Sequence, residues 1–158
     1  MIRRRDLVAL PALAGCALGP AQARAQGAAP RGAPPPPLAL PPGMSPLAHG
    51  AFRVQFRAGQ AALPAGVAEA LGEIGRRLAL APAGTGRITV EAQTSGPAND
   101  PSIARRVALA RANEVRNALV AGGLEATRVD VRPLGRTNAA LDAADVLPPG
   151  TQTSQRAR

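Results

Sequence analysis

An arginine within a predicted helix carries the clearest chemical signal in this sequence. Residues 105–119 have the pattern of one amphipathic helix, and Arg111 lies beside its small-residue face. A guanidinium is costly to bury unless anions or other hydrogen-bond acceptors accompany it. Arg111 is therefore predicted to be either a structural arginine, bound to Glu91, Asp100 or loop carbonyls, or a clamp for an anionic ligand.

A polar loop lies directly before this helix. It runs from Thr94 to Asp100, and the hydroxyls of Thr94 and Ser95 are both hydrogen-bond donors and acceptors. Asp100 followed by Pro101 is typical of a helix N-cap and a first helical residue.

Alternating strand and helix patterns surround the candidate residues. Apolar and polar residues alternate at residues 52–56, 87–91 and 127–132, which predicts three strands. Apolar residues at i, i+4, i+7 and i+11 from Val67 predict the first helix. Residues 144–147 are predicted as a short edge strand. The order β-α-β-α-β, with this last strand added, predicts an α/β sandwich of two helices packed on one mixed sheet.

The N-terminus has the pattern of an export signal. Residues 1–25 combine a basic start, an apolar stretch too short to span a bilayer, and an A-x-A site that ends at Ala25. An alternative cut before Cys16 follows from the lipobox-like residues 13–16 and would leave this only cysteine diacylated. The mature protein is therefore expected in the periplasm, either soluble or anchored at the outer membrane through Cys16.

Composition divides the remaining chain into three parts. Residues 26–49 are rich in proline and are predicted to form an extended linker. Residues 50–147 contain the strand and helix patterns and are predicted to form the domain. Residues 148–158 are predicted to be a disordered tail.

Several functional classes lack support in the composition. The net charge is +9, but the absence of Trp and Tyr removes the usual stacking platforms for nucleic acids. His49 is the only histidine, at the boundary of the linker, and the chain shows no metal-binding cluster and no phosphate loop. We expect a protein without enzymatic activity, cofactor, metal or nucleic-acid partner, whose membrane contact would be limited to an acyl anchor.

Three local patterns in the chain combine as they do in a known family. A strand ending in Phe56 is followed by a small-residue turn and Leu63, and the second strand leads into the loop at Thr94. In the second helix, Arg111 and Val115 match the ends of the pattern Arg-Ala-x-x-Val. In these features, residues 50–147 resemble the OmpA-like C-terminal domain, a peptidoglycan-associating module.

The resemblance implies a ligand and a site. In that family a loop Asp and the helix Arg hold the diaminopimelate of the peptidoglycan stem peptide, and Arg111 matches the helix position. Ser95 occupies the Asp position and Ala104 the helix Asn position, and the Asn-Arg-Arg ending is missing. The resemblance predicts a non-enzymatic cell-envelope protein that associates with peptidoglycan, and it implies the candidate binding residues Arg111, Ser95, Thr94 and Asp100. The alternative is a degenerate OmpA-like fold that serves as a structural or protein-interaction module.

Overall fold

Two helices and a five-stranded sheet make up the residues that the computed structural model describes, which are 38–80 and 86–151. The helices are α1 (Val67–Leu80) and α2 (Pro101–Ala121). The strands are β1 (Met44–Pro46), β2 (Phe52–Gln55), β3 (Ile88–Thr94), β4 (Val129–Arg136) and β5 (Ala143–Leu147). Neither helix is long and apolar enough to cross a membrane. The predicted cleavage sites at Cys16 and Ala25, like most of the predicted tail, lie outside the described residues.

The sheet has the strand order β1-β2-β5-β3-β4 and is mixed. Strands β3 and β4 are parallel, whereas β5 pairs antiparallel with both β2 and β3. The prediction of two helices on one mixed sheet is confirmed.

The last strand is not at an edge, so that part of the prediction was wrong. All five residues of β5 are buried, because the strand lies between β2 and β3. The strand contains one charged residue, Asp145, and a polar residue within a short apolar run is typical of a strand at the edge of a sheet. Arg53 on β2 binds this carboxylate through two hydrogen bonds, each of 2.7 Å, and so allows it to lie in the centre of the sheet.

The sheet begins earlier than the predicted start of the domain at residue 50. Strand β1 lies within the proline-rich segment, pairs antiparallel with β2, and buries the side chain of Met44. Its last residue, Pro46, is compatible with a strand because β1 is at the edge of the sheet. Composition therefore located the linker only approximately.

The core is built from aliphatic side chains and alanines. The predicted apolar face of α1 is buried at Val67, Leu71 and Ile74. Helix α2 buries three alanines together with Val115 and Leu119. Small residues bring α2 close to its neighbours, and this position places Arg111 of α2 inside the protein.

Candidate functional site

Arg111 is fully buried, and backbone carbonyls surround its guanidinium. Its Nε donates a hydrogen bond of 2.7 Å to the carbonyl oxygen of Gln60, and Nη1 donates one of 2.8 Å to that of Gln93. Its Nη2 donates one of 3.0 Å to the carbonyl oxygen of Arg57. The guanidinium carbon also lies 5.1 Å from the ring centre of Phe56. Arg111 therefore ties α2 to the β2–α1 loop and to β3.

The carboxylate that pairs with Arg111 belongs to Asp142. Nη1 of Arg111 lies 2.8 Å from Oδ1 of Asp142, whose side chain is 15% exposed. The prediction that Glu91 or Asp100 is the acidic partner of Arg111 was wrong. Glu91 accepts a hydrogen bond from Arg132, whereas Asp142 directly precedes β5 and so lies beside the end of antiparallel β3. The expected hydrogen bonds to loop carbonyls are present.

Ser95 and Thr94 converge on the same carboxylate. The Ser95 hydroxyl donates a hydrogen bond of 2.5 Å to Oδ2 of Asp142, and its backbone N–H donates one of 3.2 Å to Oδ1. Oγ1 of Thr94, the last residue of β3, lies 3.1 Å from the same Oδ1. The structure thus brings Arg111, Ser95 and Thr94 together around Asp142.

Asp100 has a different role from the one that a ligand site would need. Its Oδ1 accepts hydrogen bonds from the backbone N–H groups of Ser102 and Ile103, at 3.0 and 2.9 Å. It is the N-cap of α2, as the sequence predicted, and Pro101 follows it as the first helical residue. Within the described part of the chain, the side-chain hydrogen bonds of Asp100 all go to this helix end.

The charge state of Asp142 follows from its neighbours. Burial raises the pKa of this carboxyl, but the hydrogen bonds from Ser95 and Arg111, together with the positive charge of Arg111, outweigh burial. The pKa of Asp142 is therefore below its usual value, and the side chain is an anion at neutral pH. In the ion pair between Arg111 and Asp142, the carboxylate of Asp142 is the group with exposed surface that a ligand could contact.

Arg136 is an exposed cation at the rim of the same site. It is the last residue of β4, and its Nε donates a hydrogen bond of 2.9 Å to the carbonyl oxygen of Ser95. No sequence pattern indicated this residue, because its placement depends on the register of β4 against β3. A group of three or more potential metal ligands is absent from residues 38–80 and 86–151.

The sequence of this chain matches a known protein family. A family model described as the OmpA family matches residues 55–145, more than half of the chain. A search of curated protein sequences gave no significant match.

Solved structures of similar fold include two that are described as follows. One is the crystal structure of the peptidoglycan-associated lipoprotein from Burkholderia pseudomallei, with a TM-score of 0.52, 18% identity, and coverage of 60% of this chain and 87% of that one. The other is the periplasmic domain of Helicobacter pylori MotB, with a TM-score of 0.51, 14% identity, and coverage of 64% and 76%. At these identities the likeness establishes the fold.

Proposed function

Because the chain belongs to the OmpA family, we propose that its domain associates non-covalently with peptidoglycan and performs no enzymatic step on it. One observation carries the proposal, namely the ion pair between Arg111 and Asp142 beside Ser95. Arg111 and Ser95 are the two positions at which the family resemblance puts the diaminopimelate site. The structural likeness to a peptidoglycan-associated lipoprotein supports the same interpretation.

In this proposal Asp142 supplies the acid that is missing at the Ser95 position. Ser95 occupies the position at which the family has aspartate. Its hydroxyl donates a hydrogen bond to the carboxylate of Asp142, which lies just before the neighbouring strand β5. A negative charge therefore remains at the site although its position in the sequence has changed. The ammonium of diaminopimelate would bind the accessible part of this carboxylate through a charge-assisted hydrogen bond.

Sedimentation with purified peptidoglycan tests the proposal. We expect the full chain to sediment with the polymer and Asp142→Asn to bind about tenfold less, because a neutral amide oxygen accepts a hydrogen bond from an ammonium more weakly. Asp130→Asn is the matched control, since Asp130 pairs with Arg87 away from the site and its side chain is 41% exposed. Circular dichroism of each variant verifies that it is folded. Wild-type protein that stays in the supernatant, or equal binding by the Asp142 variant, would contradict the proposal.

A second candidate function has one observation in its favour. The guanidinium of Arg111 has no exposed surface, and its hydrogen bonds all serve internal acceptors. This is the arrangement expected of a degenerate OmpA-like fold in which the ion pair is structural and the domain is a structural or protein-interaction module. Failure of the wild-type protein to sediment with peptidoglycan would favour this second function.

We also place the protein outside the cytoplasm, in the periplasm, where the MotB domain of similar fold resides. The soluble form, cut after Ala25, is the one we favour. We expect Gln26 to be the mature N-terminus and no incorporation of labelled palmitate in a bacterial host. A palmitate label that disappears in Cys16→Ser would instead establish the anchored form.

A further inference from the structure

Ser95 connects two opposite charges at the surface of the site. Its hydroxyl donates to Asp142, and its carbonyl oxygen accepts the Nε hydrogen bond of Arg136. Both charged side chains reach solvent, since Asp142 is partly exposed and Arg136 is exposed. Among the described residues, neither Nη1 nor Nη2 of Arg136 has a hydrogen-bond partner. The carboxylate of Asp142 and the guanidinium of Arg136, which has unbonded N–H groups, therefore lie on either side of Ser95.

The topology of the sheet explains why these charges are neighbours. Strand β3 lies between β5 and β4, and Ser95 directly follows its last residue. Asp142 directly precedes β5 on one side, and Arg136 pairs with Thr94 in the register of β4 on the other. The backbones of β5 and β4 are two strand spacings apart, about 10 Å, and both side chains lean towards Ser95 between them.

Arg111 is poorly placed to bind a ligand carboxylate. A guanidinium has five N–H donors, and four acceptors inside the protein already contact that of Arg111. The side chain also has no exposed surface. A ligand could reach it only after displacing Asp142 or a loop carbonyl. Arg111 is therefore a positioning residue that holds Asp142, and another cation must meet a ligand carboxylate.

We infer that Arg136 binds the carboxylate of a zwitterionic amino-acid end whose ammonium binds Asp142. The inference rests on the proposed function, and it assigns recognition of the ligand carboxylate to Arg136 instead of Arg111. The ammonium and carboxylate of such an end share one carbon atom, so a single ligand group can bridge the two charges on either side of Ser95. Two free Nη groups in a planar fork suit a carboxylate. An amine without the neighbouring carboxylate would use only Asp142.

A pair of peptides that differ in this carboxylate tests the inference. The first is a stem tripeptide that ends in meso-diaminopimelate, and the second ends in lysine, whose side chain carries the ammonium but lacks that carboxylate. Titration calorimetry with the full chain should show the diaminopimelate peptide bound about tenfold more tightly. In Arg136→Gln this preference should disappear, with binding of the lysine peptide unchanged. Arg136→Lys should recover part of the preference.

The matched control is Arg132→Gln on the same strand. Arg132 is exposed like Arg136, but it lies in the middle of β4 and donates to Glu91. This variant loses the same charge and should retain the preference for diaminopimelate. An Arg136→Gln variant that also retains the preference would overturn the inference and leave the proposed function intact. Wild-type protein that binds neither peptide would overturn both.

Discussion

Alanine at Gly75 is expected to destabilise the domain by about 3 kcal/mol or more, although alanine is the better helix former. A Cβ atom at this position would lie 2.2 Å from the carbonyl oxygen of Leu119 and 3.0 Å from its carbonyl carbon. These are backbone atoms of α2, so no side-chain rotation can make room. The two helices would have to separate, and Leu71 and Leu119, both fully buried, would lose packing contacts.

Gly72→Ala is the matched control for Gly75→Ala. Gly72 lies one turn earlier on the same helix, and a Cβ there would have the Ala118 carbonyl oxygen at 3.8 Å as its nearest neighbour, an ordinary contact. We expect this variant to gain about 0.5–1 kcal/mol from the lower backbone entropy of its unfolded chain. Urea unfolding at equilibrium measures both free energies. Changes of the same sign in the two variants would contradict the close approach of α1 and α2 at Gly75.

Local periodicity predicted most of the elements correctly because it reports a local property. Val67, Leu71 and Ile74 recur at helical spacing, and the core they face is aliphatic wherever the sheet lies. Asp100 and Pro101 likewise fix a helix start within two residues. The close contact of Gly75 with α2 is different, because it depends on where a second helix crosses. In the sequence alone, a glycine inside a helix pattern indicates only a weaker helix.

The candidate site was predicted in part for a related reason. The loop with Thr94 and Ser95 and the helix with Arg111 follow one another in the chain, so local patterns and the family resemblance brought them together. Asp142 and Arg136 enter through the pairing of β5 and β4 with β3. An edge position for β5 would leave Asp142 away from Arg111. The position of one strand in the sheet therefore decided which acid completes the site.

Loss of the Arg111 guanidinium is the second large expected effect. In Arg111→Met we expect the free energy of unfolding at neutral pH to fall by about 3 kcal/mol, since each buried acceptor that loses its donor costs about 1 kcal/mol or more. Asp142 would keep its charge without a cation, and the carbonyls of Arg57, Gln60 and Gln93 would lose a donor. Arg111→Lys should rescue little, because one ammonium cannot reach acceptors that a planar guanidinium spans.

The pH dependence of this loss identifies Asp142 as its source. The folded-state pKa of Asp142 is lowered, so the ion pair contributes its full stability above the unfolded-state pKa of about 4. That contribution disappears as the pH falls through the lowered pKa. The difference in stability between wild type and Arg111→Met should therefore shrink as the pH falls from neutral towards this lowered pKa. Urea unfolding of both proteins between neutral and acidic pH measures the difference.

Two further variants separate the ion pair from simple loss of packing. Arg111→Met combined with Asp142→Asn should be more stable than Arg111→Met alone, because it removes the uncompensated carboxylate. Arg116→Met on the same helix loses one hydrogen bond of 3.3 Å to the Ala126 carbonyl and should change stability by about 0.5–1 kcal/mol. If Arg111→Met unfolds no more easily than Arg116→Met, the buried guanidinium does not hold the loop and strand ends together. In that case the hydrogen bonds with Ser95 and Thr94 alone would position the carboxylate of Asp142.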